Sequence, residues 1–272
     1  MSRSIVSCSI VIFATCVFGI ETARGGMTFT ETFTGSSTWV ATNTVNPGGS
    51  AANYGFSATN NAGAASAEAG GTFERTPNTA PSYYADTNLG TTFSLNDSFQ
   101  MVTGKAVAAP VIGGAGNGGE FYIGFFNSTF PVANDGATGD THSFLGIRVE
   151  GDRWGAAGDF PGTGNTFDQA SLLTSGQVET LSFSYDPSVG DGELSVDVSG
   201  SATTINLTSA QRASGASFDA FGIVAMGEGV FSTFRETTAY LDDVEYSVVP
   251  EPTSLALLLL GGLMVLARRR SR

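Results

Sequence analysis

"ETLSFSYDPSVGDGELSVDVSG", residues 179–200, contains the pattern from which the fold class follows. Leu181, Phe183 and Tyr185 are apolar, and the residues between them are polar. Side chains of an extended strand alternate between two faces, so this period of two describes a strand with one buried face. Asp186-Pro187 and Gly190-Asp191-Gly192 then supply turn chemistry. Proline presets φ, and glycine accepts the positive φ that tight turns need. The alternation resumes at Leu194, Val196 and Val198. The stretch therefore predicts an antiparallel hairpin that buries these six side chains on one face.

The same period recurs along the chain. "MTFTETFT" (residues 27–34) alternates Met27, Phe29, Glu31 and Phe33, and "TTFSL" puts Phe93 with Leu95. In "EFYIGFFN" (120–127), Phe121, Ile123 and Phe125 face one way, Tyr122 and Phe126 the other. "FLGIRVEG" (144–151) points Leu145, Ile147 and Val149 inward, Arg148 and Glu150 outward. A turn at Gly151-Asp152 leads from it into "RWGAA". Later strands are "TTINLT", "FGIVAM" and the closing "TAYLDDVEYSV". No segment has a sustained helical period. Ten to twelve short strands predict two packed antiparallel sheets. The low-complexity residues 46–71 read as a long surface loop with at most one edge strand.

Only 14% of residues are charged, against roughly 25% in an average soluble protein. The charges are acidic in excess: 6 basic and 23 acidic residues lie between Gly26 and Pro250. Such a surface repels a phosphate backbone, which excludes nucleic acid as a partner and keeps an exported protein soluble. Both cysteines, Cys8 and Cys16, precede this region, so it has no disulfide, thiolate metal site or cysteine nucleophile.

The two ends differ from the middle. Arg3, an apolar run from Ile5 to Ile20 and the small residues around Ala23 and Gly25 make residues 1–25 a secretory signal peptide. At the other end, Val249-Pro250-Glu251-Pro252 precedes an apolar run from Leu255 to Ala267, closed by Arg268, Arg269 and Arg270. Thirteen helical residues reach about 20 Å, less than the roughly 30 Å of a bilayer core. The arginines mark the cytoplasmic end. The sequence thus divides into a signal peptide (1–25), a β-sandwich domain (26–249) and a tail with a short transmembrane helix (250–272).

Two resemblances follow from these residues. The tyrosine-bearing strand, its Gly/Asp turn, "GELSVDVSG" and the closing "YLDDVEYSV" resemble the concanavalin A-like (laminin-G-like) jelly roll, whose last strand pairs beside the first. The Pro-Glu-Pro, apolar run and arginine-rich end resemble the PEP-CTERM sorting signal. That resemblance implies recognition by an exosortase, with the membrane segment as a transient handle, and delivery to the cell surface or an exopolysaccharide-containing matrix.

Candidate chemistry is sparse. His142 is the only histidine, and no G-x-S-x-G elbow accompanies it. Glu150-Gly151-Asp152 lacks the third acid of an E-x-D-x-x-E glycosidase strand, and adjacent Asp242 and Asp243 of a strand face opposite ways. Calcium is the one cofactor the sequence leaves open, with Asp135, Asp140 and Asp242 as hard-oxygen ligands. Trp39, Tyr83, Tyr84 and above all Trp154, beside a turn and next to Arg153, are candidates for stacking on a sugar. The expectation is a non-enzymatic structural or adhesive surface protein, with a carbohydrate-binding module as the alternative and a glycan-cleaving enzyme behind both.

Overall fold

The structure is a computed structural model that describes residues 26–34, 37–41, 54–63, 67–75, 82–112, 120–129, 133–134, 142–150, 153–168, 175–225, 227–228 and 235–250. The signal peptide, the apolar run and the arginine cluster lie outside these residues, as do Asp135, Asp140, Glu251 and Pro252. No helix among the described residues is long and apolar enough to cross a membrane.

Two antiparallel sheets face each other. One runs Ser201–Asn206, Glu193–Val198, Val178–Asp186, Ser98–Ile112, Arg235–Val249, Glu68–Arg75, Tyr54–Ser57, with Met27–Glu31 as an eighth strand on Arg235–Val249. The other runs Gly164–Phe167, Arg153–Phe160, Phe144–Glu150, Glu120–Phe126, Ala220–Ala225, Ser82–Asp86, Val40–Ala41. The described residues form nineteen strands, more than the ten to twelve expected, and five of them are only two residues long. Two-residue pairings leave no alternation to read. The last strand pairs beside the first, with Met27 opposite Val248 and Glu31 opposite Val244.

The opening hairpin is present in register, with Leu181 opposite Val198 and Tyr185 opposite Leu194. All six predicted side chains are buried. Aromatic rings join the two sheets: Phe125 meets Phe99 at 4.9 Å and Phe183 at 6.0 Å, and Phe221 stacks on Tyr246 at 3.9 Å. Farther along, Phe73 stacks on Phe121 at 4.3 Å. The Tyr246 hydroxyl donates to Asp86 Oδ2 at 2.6 Å, a polar tie between the sheets. Burial, then the Asp86 carboxylate, pushes that phenol well above its ordinary pKa, so it remains a donor.

Three details depart from the sequence reading. First, residues 46–71 are not all loop. Tyr54–Ser57 is the expected edge strand, but Glu68–Gly71 belongs to a strand inside the sheet. Its small residues are a packing requirement. A Cβ on Gly70, whose φ is +157°, would lie 2.2 Å from the Ala239 carbonyl oxygen. Second, the closing strand shifts register between Asp242 and Glu245, where Asp243 takes φ +50°. The bulge lets Leu241 and Val244 both face the core. Third, the "TTINLT" strand ends at Asn206, and Thr208 caps a four-residue helix, Ser209–Arg212, in a capping box with Gln211.

Glu68 is fully buried, and residues 59–62 wrap around its carboxylate. It accepts hydrogen bonds from the Thr59 hydroxyl, the Asn61 and Ala62 amides and the Asn61 side chain. Burial alone would raise its pKa, but these donors together hold it below the ordinary value of 4.5. A carboxyl with a lowered folded pKa contributes stability above its unfolded pKa and loses it as pH falls through the folded value. Glu68→Gln is therefore expected to lower the urea midpoint at neutral pH. The gap from the parent protein should shrink steadily as titration proceeds below pH 4.5. A gap unchanged down to strongly acid pH would contradict this role.

Candidate functional site

The outer face of the seven-stranded sheet, turned away from the main core, carries a cluster of charged and polar side chains. Its middle is apolar: Tyr83, Tyr122, Phe126, Phe144 and Val224 form a second buried cluster with Ala85, Ala157 and Ala220. Gly124 and Gly146 lie directly opposite each other there. A Cβ on either would come within 2.3 Å of a backbone oxygen of the neighbouring strand. The close approach of these strands thus depends on glycine at both positions.

The charged groups gather at one end of this face. Strand register puts Glu120 opposite Glu150, and Arg148 opposite Tyr122 on one side and Gly155 on the other. Arg148 Nε donates to Glu120 Oε1, and Arg148 Nη2 donates to Glu150 Oε2 at 3.1 Å. The Tyr122 hydroxyl also donates to Glu120 Oε1, at 2.9 Å. The guanidinium lies over the half-buried Phe167 ring, 4.4 Å from its centroid. Next along the sheet, the Asn165 amide nitrogen donates to Asp159 at 2.7 and 3.0 Å. The Glu120 side chain is 1% exposed, Glu150 12% and Arg148 13%.

Burial works against the Arg148 charge. The Glu120 carboxylate, by charge and hydrogen bond, and then Tyr122 and Glu150, more than offset it and leave the guanidinium pKa above its ordinary value. Burial, then the Glu120 charge, pushes the Tyr122 phenol well above its ordinary range. Chemically, one fixed cation serves two carboxylates that sit directly across from each other. Both acids face that cation, and neither is presented alone to a substrate bond.

The sequence-predicted contacts fare differently. Trp154 is not an exposed sugar platform: it is 2% exposed and belongs to the main core. The hairpin register explains why. Glu150 pairs with Arg153 and Val149 with Trp154, so an inward Val149 forces an inward Trp154. Trp39, Tyr83 and Tyr84 are buried too. Asp242 is 1% exposed within the closing strand, and its Oδ1 accepts the Asp243 amide at 2.7 Å. Asp243 itself pairs with Lys105 at 2.8 Å. Among the described residues, no three His, Cys, Asp or Glu side chains gather as metal ligands. His142 is half-buried, and the adjacent Ser143 hydroxyl accepts the Ser217 amide at 3.3 Å.

The two junctions of the domain lie together. Met27 opens the first strand opposite Val248, and Val249 ends the last opposite Ser98. Gly26 sits against Val249, where a Cβ would be 3.1 Å from Val249 Cγ2. The turn from Asp186 to Glu193 shares this pole, because Tyr185 pairs with Phe99. The Arg148 cluster lies at the other end. Tyr246 meets Phe221 near the pole, whereas Phe121, one residue from Glu120, meets Phe73 far along the sheet.

No protein-family model matches the chain, and no characterised protein sequence does. Among solved structures, basic winged bean lectin with Tn-antigen is similar over 84% of this chain and 100% of that one, with TM-score 0.52 and 9% identity. A botulinum neurotoxin type C structure, described as entering cells through two ganglioside molecules, gives TM-score 0.41 and 12% identity over 70% of this chain. The match spans 41% of that solved chain. A family 7 alginate lyase, A1-II', in complex with its substrate gives TM-score 0.41 and 14% identity, over 67% of this chain and 79% of the lyase. The lectin likeness shows a shared sandwich fold.

Proposed function

We propose that this chain is an exported, non-catalytic β-sandwich whose tail is cut by an exosortase, leaving an adhesive or structural domain at the cell surface or in the extracellular matrix. The observation that carries this reading is the extent of the ladder. Strand pairing begins at Met27 and ends at Val249, so Pro250 is the first residue beyond the sheet. A fold with these limits ends its sheet one residue before the Pro-Glu-Pro segment. Proline, lacking an N–H, cannot extend the ladder. The engagement of Glu120 and Glu150 by Arg148 supports the non-catalytic part.

Mass spectrometry of the native protein tests the reading. The expected C-terminus lies between Pro250 and Thr253, with or without a transferred adduct. Replacing Arg268, Arg269 and Arg270 by Ser should leave precursor. Mature protein that still carries residues 255–272, in cells with an active exosortase, would overturn it.

The second reading is a glycan-binding module. It is favoured by the half-buried strip at the far end, where Phe167 and Arg153 adjoin the Arg148 cluster. A glycan array on residues 26–250, with and without calcium, is the direct assay. Saturable binding that Arg153→Ala weakens, with the melting temperature unchanged, would favour this reading. Release of a cleaved glycan would overturn the non-catalytic assignment in both.

A further inference from the structure

We infer that, before it is cut, the domain stands on the membrane on its Met27–Val249 pole and holds the Arg148 cluster at the membrane-distal end. The inference rests on the reading of the tail as membrane-inserted, and goes beyond it by fixing which face of the sandwich meets the bilayer.

The argument is one of reach. Val249 is the last residue held in the ladder, and the apolar run begins at Leu255. Six Cα steps separate them, which even fully extended cover at most about 21 Å. On the other side, seven steps separate Ile20, the end of the apolar run in the signal peptide, from Met27 in the first strand. Those steps allow at most about 25 Å. Both limits are small against the 15-residue Arg235–Val249 strand, which at about 3.3 Å per residue approaches 50 Å. Because Met27 and Val248 are paired, the two tethers pull on the same pole. The sandwich therefore cannot present its other end to the membrane while either tether is inserted.

The acidic excess of the chain opposes a sideways collapse. With 23 acids against 6 bases between Gly26 and Pro250, a flank lying on anionic lipid would meet charge of its own sign. The cleavable segment is consequently confined between the sheet and the bilayer. Its processing partner must be embedded in the membrane and must meet the turns at 94–97 and 186–193. A glycan ligand held at the Arg148 end would face outward.

The test uses the full chain in spheroplasts that carry an inactivated exosortase. The domain has no cysteine of its own, and with Cys8 and Cys16 replaced by Ser a single label is unambiguous. Val189→Cys places a dye in the turn at the pole, and Val178→Cys places one at the start of the same hairpin's first strand. Both positions are exposed, at 41% and 46%. Lipid headgroups carrying a quencher should quench the dye at 189 severalfold more than the dye at 178. Equal quenching, or the reverse order, in precursor that stays with the membrane overturns the orientation and leaves the tail reading intact. Precursor that washes off in high salt overturns the tail reading and the orientation with it.

Discussion

Arg148→Met is expected to destabilise the domain by about 3–5 kcal/mol, the usual cost of removing one partner from a buried ion pair. The substitution preserves an apolar stem over Phe167 but leaves Glu120 and Glu150 directly opposed across neighbouring strands. Glu120 is almost wholly out of water and cannot recover its solvation by moving. For a domain of this size the melting temperature should fall by roughly 10 °C. Adding Glu120→Gln and Glu150→Gln to Arg148→Met should restore a substantial part of the loss, because the uncompensated charges are then gone. This non-additivity marks coupled groups. A loss below about 1 kcal/mol, the scale of a surface pair, would mean that the cluster is solvated and structurally minor.

Deletion of the last strand should have the largest effect of all. A chain of residues 26–250 is expected to unfold in one cooperative transition on heating, and residues 26–234 to show none. Arg235–Val249 is an interior strand, paired along one side with Ser98–Ile112 and along the other with Glu68–Arg75 and Met27–Glu31. It buries Ala239, Leu241, Val244, Tyr246 and Val248 in the core. At about 1.5–3 kcal/mol for each large apolar side chain, its removal outweighs much of the 5–15 kcal/mol that holds a typical domain together. Differential scanning calorimetry of the two chains decides the matter. A cooperative endotherm from the shorter one would show that the rest of the sandwich closes without it.

Some of this was readable in the sequence. Local alternation placed the 179–200 hairpin, the two faces of Glu120–Phe126 and the outward turn of Arg148 and Glu150. Apart from the last strand beside the first, which the jelly-roll resemblance implied, pairing between distant strands was not readable. Glu120 meets Arg148 through a ladder between segments some 28 residues apart, and nothing local sets that register. The misreading of Trp154 is of a different kind. Glycine neighbours and an adjacent arginine suggested exposure. Yet a two-residue turn with Val149 inward already implied, by parity alone, that Trp154 points inward. Residues 46–71 misled through composition, because small side chains mark loops and also strands packed closely against a neighbour. The bulge in the closing strand was not legible either, because nothing local marks a register shift at Asp242-Asp243.

The placement of the ends also determines how the molecule bears load. Ladder hydrogen bonds lie across the strands. A pull applied between Met27 and Val249 would act on two antiparallel neighbours from the same end and open their bonds one after another, as a zipper opens. A pull between Val249 and a ligand held at the far end runs along Arg235–Val249 instead. The bonds on both flanks of that strand then resist together, in shear. The sandwich is therefore weak to peeling between its two ends and strong to a pull along Arg235–Val249.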